Sequence, residues 1–289
     1  MRAWSRAARA RGQRIGLVPT MGYLHEGHLR LVDHLAERSD TRVMSIFVNP
    51  LQFGPKEDLA SYPRDLARDR ALADARGIDC LFAPEDRAMY PQRPRVRLTP
   101  GELASHLDGP WRPGHFEGVL TVVAKLFHII EPHAAAFGRK DVQQARIIRG
   151  MVEELNFPIE ILVTPIVRES DGLALSSRNS YLSPSERRIA VSLSMALEEG
   201  HRRYRSGAGM PGEIVAAVKG VLQQERVIVP QYVELVDQDT LLPVTVVEAD
   251  NVLAVAAFIG KTRLIDNIIL GRGLDGDERL PLSAKPALR

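Results

Sequence analysis

The sequence predicts an α/β protein: a Rossmann-like parallel sheet with helices on both faces, followed by a smaller C-terminal α+β domain. Three observations predict it. Short apolar runs alternate with helically spaced segments over the first ~150 residues, as in strand–helix–strand crossovers. The loops rich in polar side chains follow the apolar runs, where open parallel sheets hold their ligands. After about Asn179 the alternation gives way to long helices and a few strand-like runs. The expected division is 1–179 for the sheet domain, 180–271 for the C-terminal domain and 272–289 for a polar, aperiodic, disordered tail.

The elements follow in order. Residues 1–14 carry Arg2, Arg6, Arg9, Arg11 and Arg14 and no acid. They read as an exposed helix leading into the first strand. Their composition also resembles a transit peptide, but no apolar core follows, which excludes a secretory signal. Strands are expected at 15–19, 43–48, 79–83, 134–137 and 159–163. Helices are expected at 28–36, 66–75, 119–130 and 143–154. Beyond Asn179, one helix over 184–204 is capped by Ser183 with Glu186 three residues on. Another spans 212–225, and strands at 231–236, 244–247 and 251–259 suggest a small mixed or antiparallel sheet.

Composition narrows the function. The 289 residues are 45% hydrophobic and 26% charged, with net charge +2, ordinary for a globular protein and unlike a nucleic-acid coat. No run reaches the ~18 apolar residues of a membrane span. The single cysteine, Cys80, reads as a core thiol and cannot form an internal disulfide, which fits a reducing cytoplasm.

Four loops carry chemistry. Met21-Gly22-Tyr23-Leu24-His25-Glu26-Gly27-His28 lies between a strand and a helix. A glycine turn lets backbone approach a ligand, and a helix N-terminus favours phosphate. His25 and His28 can donate hydrogen bonds as charge develops on phosphate oxygens. A zinc pair is disfavoured, because the usual helical spacing is four and no third ligand follows. Asn49 and Gln52 sit in the Pro/Gly-shaped loop after the second strand, where amides can orient a small polar substrate. Gly138-Arg139-Lys140-Asp141 again joins strand to helix: Lys140 can neutralise phosphate and Asp141 can accept from ribose, with Gln144 one turn on. Finally, Leu175-Ser176-Ser177-Arg178 combines two hydroxyls and a guanidinium, an anion clamp.

The His-x-x-His element in a strand–turn–helix setting resembles the nucleotidylyltransferase superfamily, relatives of class I aminoacyl-tRNA synthetases. Taken with Glu57–Arg64, the Gly114–Phe127 run and Gly260–Asn267, the four loops resemble the pantoate–β-alanine ligase (pantothenate synthetase) family from about Gly16 to Leu270. The resemblance implies that ATP activates pantoate as its adenylate and that β-alanine then displaces AMP. It implies that Met21 to His28 line the triphosphate, with His28 catalytic and His25 beside it. It places Gln52 and Gln144 on pantoate, Gly138 to Asp141 on ATP, Val167 at adenine through its backbone, and Leu175 to Arg178 over the phosphates. It further implies Mg²⁺ with ATP and Asp69 as a candidate carboxylate near it, a lid role for the C-terminal domain, and a homodimer.

Three departures stand out. The family has a further short strand before the arginine-rich helix that this chain does not show. Arg139 replaces an acid beside the lysine, and His128 stands where Lys-Leu-Phe is usually followed by Asn. Two other readings compete. One is nucleotidyl transfer to a phosphorylated acceptor, which the uncharged Gln52 and Gln144 disfavour. The other is RNA binding, supported only by the N-terminal arginines and lacking stacking aromatics.

Overall fold

The computed structural model describes residues 1–55 and 57–281. In chain order the elements are α1 (Arg2–Ala10), β1 (Ile15–Thr20), α2 (Glu26–Ala36), β2 (Thr41–Ile46), α3 (Leu66–Ala75), β3 (Cys80–Phe82), α4 (Asp86–Met89), α5 (Asp108–Trp111), α6 (His115–Ile130), β4 (Ala134–Gly138), α7 (Val142–Glu154), β5 (Glu160–Thr164) and β6 (Val167–Arg168). They continue as α8 (Pro184–Ala190), α9 (Ser192–Arg205), α10 (Pro211–Leu222), β7 (Ile228–Val236), β8 (Val252–Ile259), β9 (Thr262–Ile269) and β10 (Glu278–Arg279). The chain folds into two compact units, one of residues 1–101, 112–139 and 144–164, the other of 102–111, 140–143 and 165–289. Residues 165–179, expected with the sheet domain, group with the second unit.

The first unit is built on a five-stranded parallel sheet in the order β3-β2-β1-β4-β5. Strand order reverses direction on either side of β1, which places the ligand-binding crevice of such sheets at its carboxyl end. The β1–β2 ladder runs the full strand, from Ile15↔Thr41 to Thr20↔Ile46. The β1–β4 ladder covers only Gly16↔Ala134 and Leu17↔Ala135. Ile15 accepts from His133 on the β4 side, and alternate residues share a side, so Pro19 also faces β4. Proline has no N–H to donate there, and the ladder stops short of it. Leu31, Val32 and Leu35 of α2 pack with Val18, Met44 and Ala136 of the sheet. Helix α1 buries Ser5 and Ala8, while the Arg9 guanidinium reaches the Glu131 carbonyl at 2.7 Å. Cys80 is half-buried, not a core thiol, because β3 is an edge strand.

In the second unit β7, β8 and β9 form an antiparallel sheet. Leu193 and Leu197 of α9, and Ile214, Val218 and Leu222 of α10, pack with Leu253, Val255 and Ala257 of β8. The Ser183–Glu186 capping box is present. The helix expected over 184–204 is interrupted as a hydrogen-bonded run at Val191, although its backbone stays in the helical region. Residues 244–247 form no strand; only an isolated bridge joins Val236 to Pro243. Their alternation is short, and Thr245 and Val246 lie exposed without a pairing partner. The third strand is instead Thr262–Ile269.

The tail expectation also changes. Leu274 is buried, and β10 pairs in parallel with β6. The reason is a buried ionic cluster that no periodicity reveals. Arg168 donates to Asp277 at 2.6 Å and, through two nitrogens, to Asp266 at 2.7 and 2.9 Å. Residues 282–289 lie outside the described residues.

Candidate active site

The loop after β1 is set by backbone geometry. Gly22 (φ +85°) and Tyr23 (φ +50°) are both left-handed. A Cβ at Gly22 would come within 2.9 Å of Asp69 Oδ2 and Ile46, so only glycine fits. Successive N–H groups then converge. Tyr23 donates to Asp69 Oδ2 and Leu24 to Oδ1, each at 2.7 Å. Such a nest binds an anion, and here the anion is the protein's own carboxylate. Burial pushes the Asp69 carboxyl up, against the pull of the two N–H donors and of Arg68. Asp69 thus holds the turn through both of its carboxylate oxygens. Leu24 is correspondingly not a ligand contact by its side chain, which lies in the core.

His25 caps α2, and His28 sits three residues on, with ring centroids 4.0 Å apart. The His25 N–H approaches His28 Nδ1 at 3.4 Å. That contact makes Nδ1 the acceptor and leaves the His28 proton on Nε2, the nitrogen able to donate. Glu26 is held by Arg76 at 2.8 Å, and the Tyr23 ring lies under the Arg68 guanidinium at 5.3 Å.

The loop after β2 is held by side chains. Asn49 is 1% exposed and uses all its hydrogen-bonding capacity. Its Oδ1 accepts from Leu51 N–H at 3.3 Å and Tyr90 O–H at 2.9 Å. Its Nδ2 donates to the Gly118 carbonyl at 3.0 Å and Gln52 Oε1 at 3.1 Å. Asn49, expected on substrate, is a saturated internal amide. The Gln52 Nε2 group meets the Met21 sulfur at 3.2 Å, joining the two loops. A second chain reaches the Gln52 backbone. Glu57 and Arg112 pair through two bonds of 2.7 and 2.8 Å, Arg112 meets His115 Nε2 at 2.9 Å, and His115 Nδ1 meets the Gln52 carbonyl at 2.8 Å. Arginine only donates, so His115 carries its proton on Nδ1 and donates it to Gln52. Gly118 brings α6 against this loop: a Cβ there would lie 2.4 Å from the Leu51 carbonyl.

A cavity of about 880 Å³ opens beside these loops. It is lined by Met21 and Gly22 after β1, by Pro50 and Phe53 after β2, and by Ala83 and Pro84 after β3. The hollow lies at the carboxyl ends of β1, β2 and β3 and is also lined by Asp69, but His25, His28, Gln52 and Gln144 are not among the residues that line it. Extending the β1–β4 register sets Thr20 level with Gly138, so the Gly138–Arg139 turn flanks the Met21 loop in the same unit. Arg139 is buried and Gln144 is half-buried near the start of α7.

The remaining candidates belong to the second unit. Lys140 accepts at its carbonyl from Asn267 at 3.0 Å. Asp141 is exposed. The Val167 carbonyl accepts from Leu175 N–H at 2.9 Å, which holds the start of the Leu175–Arg178 segment. Ser176 Oγ accepts from Arg178 N–H at 3.3 Å, closing a tight turn that carries Ser177 and Arg178. Among the described residues no group of three His, Cys, Asp or Glu side chains could hold a metal ion.

Tyr90 and Arg112 escaped the sequence reading, and nothing in their local pattern marks them. His115 and Gly118 lie in a segment that did carry a signal, the Gly-His-Phe-Glu-Gly run.

Comparison with known proteins agrees with this geometry. Residues 1–269 match the family described as Pantoate-beta-alanine ligase. A pantothenate synthetase of Thermoanaerobacter sp. (strain X514) is 51% identical over 91% of this chain and 93% of its own. The crystal structure of pantothenate synthetase from Thermus thermophilus superposes with TM-score 0.88 at 45% identity, covering 93% of this chain and 97% of that one. The pantoate-beta-alanine ligase of Francisella tularensis, complexed with beta-gamma ATP and beta-alanine, gives TM-score 0.77 at 32% identity over 92% of this chain and 94% of its own. The fold, the paired histidines after β1 and the extent of these matches together place the chain in the pantoate–β-alanine ligase family.

Proposed function

We propose that the chain condenses pantoate with β-alanine through a pantoyl-adenylate intermediate, consuming ATP and releasing AMP and pyrophosphate. The observation that carries the reading is the His25–His28 pair, 4.0 Å apart on the first turn of the helix after β1, joined through Met21 to the Gln52 amide. A carboxylate lacks a good leaving group. Its oxygen attacks the α-phosphorus of ATP, the bond to the β-phosphate oxygen breaks, and pyrophosphate departs. The β-alanine nitrogen then attacks the acyl carbon and loses its proton, the bond from that carbon to the phosphate-bound oxygen breaks, and AMP leaves with that oxygen and the bonding electron pair.

The residues divide this work as anion chemistry requires. His28, protonated on Nε2, donates to phosphate oxygen as charge builds, with His25 beside it. Gln52 and Gln144 hold pantoate. Lys140 and Arg178 neutralise pyrophosphate, Ser176 and Ser177 donate to it, Asp141 accepts from ribose, and the Val167 backbone meets adenine. Mg²⁺ is proposed as the counter-ion of ATP, bound by phosphate oxygens and water rather than by a protein cage. Family membership further supports a homodimer, a cytoplasmic site of action and a lid role for the residues after Asn179. That reading needs neither a nucleic-acid partner nor a membrane, and no helix among the described residues is long and apolar enough to cross one.

The test is pyrophosphate release from ATP and Mg²⁺ with and without pantoate. Wild type is expected to show pantoate-dependent release, and His28→Ala to lower it by about 10²–10³, the scale of one lost transition-state donor. Folded wild type releasing nothing above the pantoate-free control overturns the reading.

A further inference from the structure

We propose that Tyr90 is a positioning residue: through Asn49 it fixes the Gln52 amide so that its N–H groups, not its carbonyl, face the acid substrate. The inference rests on the reading that Gln52 holds pantoate. Two backbone groups with no choice of role set the polarity. The Leu51 N–H can only meet the oxygen of Asn49, and the Gly118 carbonyl can only meet its nitrogen. The second Asn49 N–H then points at Gln52, whose facing atom must be the carbonyl oxygen. The Gln52 NH₂ is thereby turned toward Met21, whose thioether is a weak acceptor. Its donors are left for a stronger acceptor, a carboxylate or hydroxyl oxygen, and present nothing that an ammonium group could use.

Tyr90 secures the arrangement. Its hydroxyl supplies the shorter bond to Asn49 Oδ1, 2.9 Å against 3.3 Å from Leu51. Burial and nearby Asp86 push the phenol's pKa up, so it remains a donor at any working pH. The ring is held separately, 6.0 Å from Phe47 and under Lys125 Nζ at 5.5 Å. Tyr90→Phe therefore deletes one hydrogen bond and keeps the packing.

The experiment compares wild type, Tyr90→Phe, Asn49→Asp, Gln52→Ala and the Tyr90→Phe/Gln52→Ala double variant. Pantoate and ATP dissociation constants come from calorimetry, and kcat/KM from pyrophosphate release. In Tyr90→Phe we expect pantoate binding to weaken about tenfold, the scale of one buried hydrogen bond, with ATP binding and the β-alanine KM within about twofold. The Tyr90→Phe effect on kcat/KM for pantoate should vanish in the Gln52→Ala background, because the residues act as one unit. Asn49→Asp has no N–H to offer, so Gln52 must reverse and pantoate binding should fall further while ATP binding holds. Unchanged pantoate binding in Tyr90→Phe and Asn49→Asp, equal losses for all substrates, or additivity in the double variant overturns the proposal. Wild type that binds pantoate without releasing pyrophosphate would sink the proposed reaction but leave the binding comparison readable.

Discussion

Asp69 and Asp266 are both buried carboxylates, 1% and 2% exposed, yet they are compensated in different ways. Asp266 in the second unit takes two guanidinium bonds from Arg168, which also holds Asp277. Asp69 in the first unit takes two backbone N–H bonds from a left-handed turn, with Arg68 no closer than 3.6 Å. The Asp266 cluster ties distant segments together and orders the chain near residue 277. Asp69 orders a turn next to the paired histidines. Guanidinium bonds thus dominate at Asp266, which also accepts from the Asn267 N–H, whereas backbone N–H bonds dominate at Asp69.

The largest effect should come from Arg168→Met. It removes the guanidinium from two carboxylates whose side chains are 2% and 0% exposed. Removing one partner of such a cluster costs about 3–5 kcal/mol, read by denaturant unfolding. A loss no bigger than that of a surface ion pair would break the contrast. Next comes Asp69→Asn, which keeps one acceptor oxygen and sets an NH₂ against a backbone donor. Stability should fall by about 1–3 kcal/mol, and pantoate-dependent pyrophosphate release should fall even at temperatures where the variant is fully folded. Full activity in a folded variant would remove Asp69 from the site.

The smallest effect concerns Glu57 and pH. Burial raises its pKa, but the Arg112 guanidinium and the Gly54 N–H outweigh burial and hold it below the usual carboxylate range. A depressed folded value means that the unfolded chain takes up the proton first as pH falls. The stabilisation is complete above about pH 4.3, the ordinary glutamate value, and is lost as pH falls through the depressed one. The advantage of wild type over Glu57→Gln in melting temperature, corresponding to about 1 kcal/mol, should be present at pH 6 and shrink toward pH 3. A constant difference would show that the pair contributes through shape alone.

Much of the site was legible because its chemistry sits in contiguous loops. His25 and His28, Gln52 and the Gly138 turn follow apolar runs that announce buried strands. The partners that hold those loops come from elsewhere in the chain. Tyr90 reaches Asn49 over 41 residues and Asp69 reaches Tyr23 over 46, so no local window contains both ends. In the second unit Thr262–Ile269 escaped because Arg263, Asp266 and Asn267 interrupt its apolar run. Asp266 and Asn267 are nevertheless buried, Asp266 being paired with Arg168. The 244–247 segment failed in the opposite sense: valines have strand propensity, but without a neighbouring edge propensity alone makes no sheet.

Pro19 lies where the β1–β4 ladder ends. An ordinary residue there could extend the zipper between these strands and bring their ends together. By withholding a single hydrogen, the imino acid leaves β1 without a donor on its β4 side just before the Met21 turn. Cohesion is given up at one position of a central strand, and the unbonded stretch begins where the chain turns toward its paired histidines.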